Sequence, residues 1–143
     1  MTFWDSSALF AVVAAEVGSD RLVAVLDDDP EAVLWWGTPV ELVSAASHLW
    51  HERQVDADGY EHMLSTIEDF VSEAEQIDPT DQVRRTSIRM LRVHSLRAAD
   101  ALQLAAALVW TDHNPTGARF VCLDKRLWEV ASREGFTMLP RDS

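Results

Sequence analysis

Four short apolar runs, Thr2-Phe3-Trp4, Ala32-Val33-Leu34-Trp35-Trp36, Phe120-Val121-Cys122-Leu123 and Phe136 to Leu139, are separated by helical periodicity and never by a hairpin turn. Strands without hairpins must be joined by crossovers, and runs that are apolar throughout must be covered on both faces. The architecture this permits is α/β: three layers, α/β/α, around a short central parallel sheet. At 143 residues the chain is the size of one domain, since single cores typically span ~100–150 residues. We therefore read 1–143 as a single domain.

Between the strands, helix starts and stops are well marked. Asp5-Ser6-Ser7 opens a helix over Ala8–Glu16, and Ser19 opens another that runs to Asp27. Thr38-Pro39-Val40-Glu41 has the form of a capping box, with Thr at the cap, Pro at the first helical position and Glu three residues after the cap. That helix is expected to reach about Arg53, and a second runs from Asp56 to Gln76. Ile77-Asp78-Pro79 is a break that admits one more short strand. Thr80 caps a helix to His94, Ser95 caps the next to Thr111, and Asp124 starts a last one that Gly135 ends.

Composition removes several classes. Twenty-four Asp and Glu against twelve Lys and Arg give a net charge of −12, which disfavours non-specific coating of nucleic acid or an anionic membrane. The single cysteine, Cys122, makes no internal disulfide and no thiolate cluster, so a reducing, cytoplasmic setting is expected. The start lacks the basic region of a secretory signal, and no apolar run reaches the ~18 residues of a membrane span.

In parallel sheets, ligands collect beyond the carboxyl ends of the strands. Asp5 and Asp124 directly follow strands, and Glu41 lies in the first turn of the helix after another. Each has a structural reading as well: Asp5 and Asp124 suit N-caps, and Glu41 suits the third position of a capping box. Asp100 is harder to explain that way, because it sits in Ala98-Ala99-Asp100-Ala101-Leu102-Gln103-Leu104-Ala105, where almost everything is small or apolar. A carboxylate in such a helix needs a partner; Arg97 at i−3 and a metal ion are the two candidates. Four carboxylates at one sheet edge repel by several kcal/mol, roughly, in a low-dielectric cleft. A cation inside them resolves that repulsion, and an oxygen-only ligand set favours Mg²⁺ or Mn²⁺.

Phe3-Trp4-Asp5-Ser6-Ser7-Ala8-Leu9, Thr38-Pro39-Val40-Glu41-Leu42, Leu96 to Ala105 and Phe120 to Leu127 resemble, in order, the four acidic motifs of PIN-domain proteins. The size resembles that of the VapC-like toxin branch. The resemblance implies a Mg²⁺- or Mn²⁺-dependent endoribonuclease leaving 5′-phosphate and 3′-hydroxyl ends, commonly the toxin of a bacterial toxin–antitoxin pair. Its metal-binding, catalytic acids would be Asp5, Glu41, Asp100 and Asp124, with Ser6 and Ser7 supporting them. Cys122 departs from the pattern, standing where many relatives carry Thr or Ser two residues before the last acid. That departure keeps a non-catalytic PIN-like module, binding protein or RNA, as the alternative.

Other features divide between packing and recognition. Arg84, Arg85, Arg89, Arg92 and Arg97 are five of the twelve bases and lie within fourteen positions. Arg85, Arg89 and Arg92 share one helix face opposite Val83, Met90 and Leu91, which makes them and Arg97 an RNA-binding stripe, a solvated face, or a partner for the acidic Glu52–Asp81 segment. Glu52 to Asp81 holds ten acids and one base, a surface for a basic partner peptide such as an antitoxin. Trp4, Trp35 and Trp36 are expected in the core. Trp50, Trp110 and Trp128 suit the interface of a homodimer, which is usual in the resembled family. His48 and His51 read as surface residues, because no third ligand accompanies them.

Overall fold

The structure is a computed structural model that describes residues 1–16 and 18–141. Five strands, β1 (Thr2–Trp4), β2 (Ala32–Trp35), β3 (Glu75–Ile77), β4 (Arg119–Val121) and β5 (Thr137–Leu139), form one sheet in the order β3-β2-β1-β4-β5. All pairings are parallel. The α/β/α fold read from the apolar runs is therefore the fold found, and the break at Ile77 carries a strand of its own.

Seven helices cover the sheet: α1 (Ser6–Val13), α2 (Asp20–Asp28), α3 (Thr38–His51), α4 (Ala57–Glu73), α5 (Asp81–Val93), α6 (Ala98–Trp110) and α7 (Lys125–Glu134). Successive strand residues point to opposite faces, and the two apolar clusters follow that alternation. Phe3, Val33, Trp35 and Phe120 pack with Val83 and Met90 of α5, Leu104 of α6 and Leu127 and Val130 of α7. Trp4, Leu34 and Val121 pack on the other side with Leu9, Leu22, Leu42, Met63 and Ile67 from α1 to α4. The first two crossovers thus lie on one face and the later ones on the other. The strand order consequently reverses at β1 and β4, and a crevice opens at their carboxyl ends.

Several local expectations change. Trp36 lies just past β2 and is 53% exposed, and Leu91 is exposed on α5. The helix after Ser95 begins later, at Ala98, with Arg97 at the cap position. The capping box at Thr38 does not form: Gly37 is the N-cap residue, with no side-chain cap bond. Glycine is required there, since a Cβ at position 37 would lie 2.6 Å from Trp35 Nε1.

At the opposite, amino-terminal edge, Asp29 ties the two central strands together. Its Oδ2 accepts from Thr2 Oγ1 at 2.9 Å and Arg119 Nη2 at 2.8 Å, and meets the Met1 amino group at 2.9 Å. Thr2 and Arg119 are register partners in β1 and β4. Burial alone would raise the Asp29 carboxyl, but the bonds from the Met1 amino group, Arg119 and Thr2 outweigh it and hold it well below its ordinary value of 3.8. A lowered folded-state value contributes stability above the ordinary value and loses it as pH falls. Asp29→Asn should lower stability by about 1–3 kcal/mol at pH 7, and the deficit should shrink as pH falls below 3.8. Urea unfolding of both proteins at pH 7 and pH 3 measures it.

Candidate active site

Asp5 directly follows β1 and caps α1, with Oδ2 accepting the Ser7 backbone N–H at 3.2 Å and the Ser7 hydroxyl. The same oxygen lies 3.6 Å from Cys122 Sγ. Oδ2 takes all of these contacts. Asp124 follows β4 and caps α7: Oδ1 accepts from Leu127 N at 2.9 Å, and Oδ2 faces Arg97 Nη2 at 4.0 Å. Both residues are caps and crevice residues at once, because a strand-to-helix junction needs only one carboxylate oxygen for its cap.

Glu41 is diverted from helix capping into tertiary contacts. Ser6 Oγ donates to its Oε2 at 2.5 Å, and Gln103 Nε2 lies 3.4 and 3.3 Å from Oε1 and Oε2. Gln103 Nε2 also donates to Thr38 Oγ1 at 2.9 Å. The two side chains of the expected capping box are thus bridged by a glutamine from α6. Gln103 is 1% exposed, and its Oε1 is buried without a partner among the described residues. A buried orphan acceptor costs about 1–3 kcal/mol, so the amide is placed here for its donor end. Sequence reading passed over Gln103. The available signal was a polar amide on the buried face of an Ala/Leu helix, one turn after Asp100.

Asp100 lies in the first turn of α6 and is partly buried. Arg97 is its nearest cation, Nε to Oδ2 at 3.8 Å, but the arginine side chain is 85% exposed. Such long, solvated pairs contribute little. Burial pushes the Asp100 carboxyl up, Asp124 pushes it further, Arg97 opposes them, Glu41 adds to the rise, and the net direction is upward. Arg97 therefore leaves the acids undercompensated.

Asp5 shows the same imbalance more strongly. Burial is the main cause that raises its carboxyl to about 6; the Ser7 hydroxyl and N–H pull it down, and Glu41 and Asp100 push it up. Asp5 is thus pushed up by Glu41 and Asp100, and Asp100 by Asp124 and Glu41, so each raised carboxyl faces acids from other elements. As the side chains stand, no three His, Cys, Asp or Glu among the described residues are gathered tightly enough to grip an ion. Side-chain rotation would have to close the set. Its chemistry fits a hard divalent cation: carboxylate oxygens, two hydroxyls, no imidazole and no thiolate. Burial pushes the Cys122 thiol far above its ordinary value, with Asp5 adding to the rise, so it stays neutral beside the acids. Its Sγ lies 3.3 Å from the Asp124 carbonyl oxygen, a weak substitute for a hydroxyl.

The other residues singled out from the sequence fall outside this crevice. His48 pairs with Glu52 at 3.4 Å on the surface, and His51 is exposed. Arg85, Arg89 and Arg92 line a shallow hollow along α5 with Ile88 and Val93. Among the described residues these three arginines make no ion pair.

No family model matches the sequence, and no curated protein does. Solved structures do match the fold. FitAcB from Neisseria gonorrhoeae aligns with a TM-score of 0.67 at 15% identity, over 96% of each chain. A toxin–antitoxin complex from Klebsiella pneumoniae aligns at 0.65 and 15%, over 88% of this chain and 89% of that one. PAE2754 from Pyrobaculum aerophilum aligns at 0.61 and 18%, over 96% and 88%. What is shared is the fold. It extends over nearly the whole length of each.

The raised Asp5 carboxyl has a consequence for stability. Folded protein keeps the proton up to about pH 6, whereas the unfolded chain loses it near 3.8. The folded state therefore binds more protons between those values, and stability falls as pH rises through them. In chelator, Asp5→Asn should be more stable than wild type at pH 7, by on the order of 2 kcal/mol, because the amide removes the charge and can still accept from Ser7. The gain should vanish by pH 4. Thermal unfolding at both pH values checks it, and a less stable variant at pH 7 would contradict it.

Proposed function

We propose that the chain is a divalent-cation-dependent endoribonuclease that cleaves RNA phosphodiester bonds, acting as the toxin of a toxin–antitoxin pair. The observation that carries this reading is the undercompensated acid set at the carboxyl ends of β1 and β4, which Arg97 fails to neutralise. Asp5, Asp100 and Asp124 would hold Mg²⁺ or Mn²⁺, and Glu41 would bind it directly, through water, or take a second ion. When bound, the cation supplies charge neutralisation at the phosphate and acidifies a water.

The chain's own groups position and balance. Ser7 holds Asp5 by one oxygen, while Ser6 and Gln103 hold Glu41 against the crevice wall. Asp124 is anchored through Oδ1 by its cap bond, with Oδ2 toward Arg97. Arg97, at the mouth, is placed to meet a phosphate oxygen once the acids are otherwise neutralised. In the hydrolysis, a water oxygen bonds to phosphorus, the bond to the 3′ oxygen breaks, and a proton passes to that oxygen. The ends are a 5′-phosphate and a 3′-hydroxyl.

Arg85, Arg89 and Arg92 extend the cationic track away from Arg97 along α5, and their lack of ion pairs supports a role with RNA. The toxin reading draws on fold likeness to a toxin–antitoxin complex. It is supported by exposed Val40, Val43 and Trp50 on α3 beside the acidic segment that includes α4, a surface suited to a basic, apolar antitoxin segment. A second copy of the chain is the further partner we assign, giving a homodimer. No helix among the described residues is long and apolar enough to cross a membrane, and we place the activity in the cytoplasm.

Cleavage of a structured RNA with Mn²⁺ or Mg²⁺ tests the reading. Wild type should cut, and Asp5→Asn and Asp100→Asn should lose at least about a hundredfold. The triple variant Arg85→Gln, Arg89→Gln, Arg92→Gln should bind RNA more weakly, with a salt slope smaller by about 2. Equal activity in wild type and both Asn variants would leave a binding module instead.

A further inference from the structure

Beside the acid set, and sharing a wall with it through Cys122, lies a hollow of about 430 Å³. Four parts of the fold build it: Arg21 of α2, Leu123 after β4, Lys125 and Trp128 of α7, and Arg141 after β5. In a chain of net charge −12, three cations around one hollow form a local reversal of sign. Among the described residues none of the three makes an ion pair. The one acid in the lining, Glu129, lies 3.9 Å from Arg126.

The hollow is held in shape. Arg21 Nη2 donates to the Arg141 carbonyl at 2.7 Å, which fixes its guanidinium at the rim. Trp128 Nε1 donates to the Pro140 carbonyl at 3.2 Å, so the indole's only polar atom is occupied and its ring serves as an apolar surface. Leu123 N donates to Ser7 Oγ at 3.1 Å, and Ser7 in turn holds Asp5, so the loop between the hollow and the acids is fixed to the site.

We infer that this hollow is a nucleotide subsite, in which Arg21 and Lys125 take a backbone phosphate and Trp128 takes the base of a residue flanking the scissile bond. The inference rests on the nuclease reading and adds where the strand runs. An anion alone would use the cations and leave the indole idle. A single-stranded RNA supplies both phosphate and a planar base, and aromatic stacking with cationic tracking is the usual mode for such strands. The volume lies in the range of small-ligand sites. On this path the strand enters over Trp128, crosses the acids and leaves along Arg97 and α5.

The test is binding of fluorescein-labelled hexauridylate by anisotropy in EDTA, paired with steady-state cleavage in Mn²⁺. The double variant Arg21→Gln, Lys125→Gln should bind about tenfold more weakly, with a salt slope smaller by about 1.4. Trp128→Leu should lose about tenfold and Trp128→Phe should keep most of the binding, which separates stacking from packing. Arg133→Gln, at the far end of α7, should change neither, and melting curves establish that each variant is folded. Binding by wild type that the double variant leaves unchanged overturns the subsite, as does absence of binding by wild type. Equal loss of a hexaglutamate peptide and of RNA would make the hollow a general anion site and also overturn it. Cleavage by wild type with KM unchanged in the variants removes the subsite and leaves the nuclease. Binding through the hollow without any cleavage removes the nuclease and leaves the subsite.

Discussion

A buried carboxylate at the centre of the sheet, facing three others, is the constraint around which this protein is organised. Asp5 is 3% exposed and sits where the strand order reverses, so it is neither solvated nor paired with a cation of its own. Burying such a group costs several kcal/mol, roughly, unless something offsets it. The chain supplies hydroxyls, a backbone N–H and a neutral thiol, and the carboxyl is still pushed up to about 6. The proposed cation would offset that cost at the switch point.

The remainder of the molecule supports that arrangement. The Asp29 clamp at the opposite edge sets β1 beside β4, which is what brings Asp5 and Asp124 to one rim. Gly37 admits the close approach of Trp35, so α3 starts where Glu41 can turn back to α1 and α6. The charge of −12 takes on a local meaning. Acids concentrate in the crevice and in the segment containing α4, while bases that make no ion pair among the described residues gather along α5 and around Trp128.

Much of this was legible in the order of residues, because strands followed at once by Asp, and helices begun by Asp or Thr, obey local rules. Asp5, Thr80 and Asp124 all cap where the pattern places them, and Asp56 caps the helix read as starting there. The failures share one cause. Thr38 and Glu41 look like a capping box along the chain, but Gln103 and Ser6, which approach from other layers, claim their side chains. Trp36 reads as the last residue of an apolar strand, yet the sheet ends at Trp35 and leaves it outside. Gln103 showed only as a polar amide on the buried face of an Ala/Leu helix, and which side chains it would bridge was not written in its own element. Local pattern reports what a residue does within its own element, and the crevice is made by contacts between elements.

The central claim is that Asp5, Glu41, Asp100 and Asp124 together form a divalent-cation site. Calorimetric titration of the metal-free protein with Mn²⁺ at pH 7.5 tests it most directly, with thermal unfolding on the same samples. Wild type should bind and melt at a higher temperature as Mn²⁺ rises, while Asp100→Asn should bind at least about tenfold more weakly and show little shift. Absence of Mn²⁺ binding by wild type at millimolar concentration, or equal binding by the Asn variant, would contradict the account.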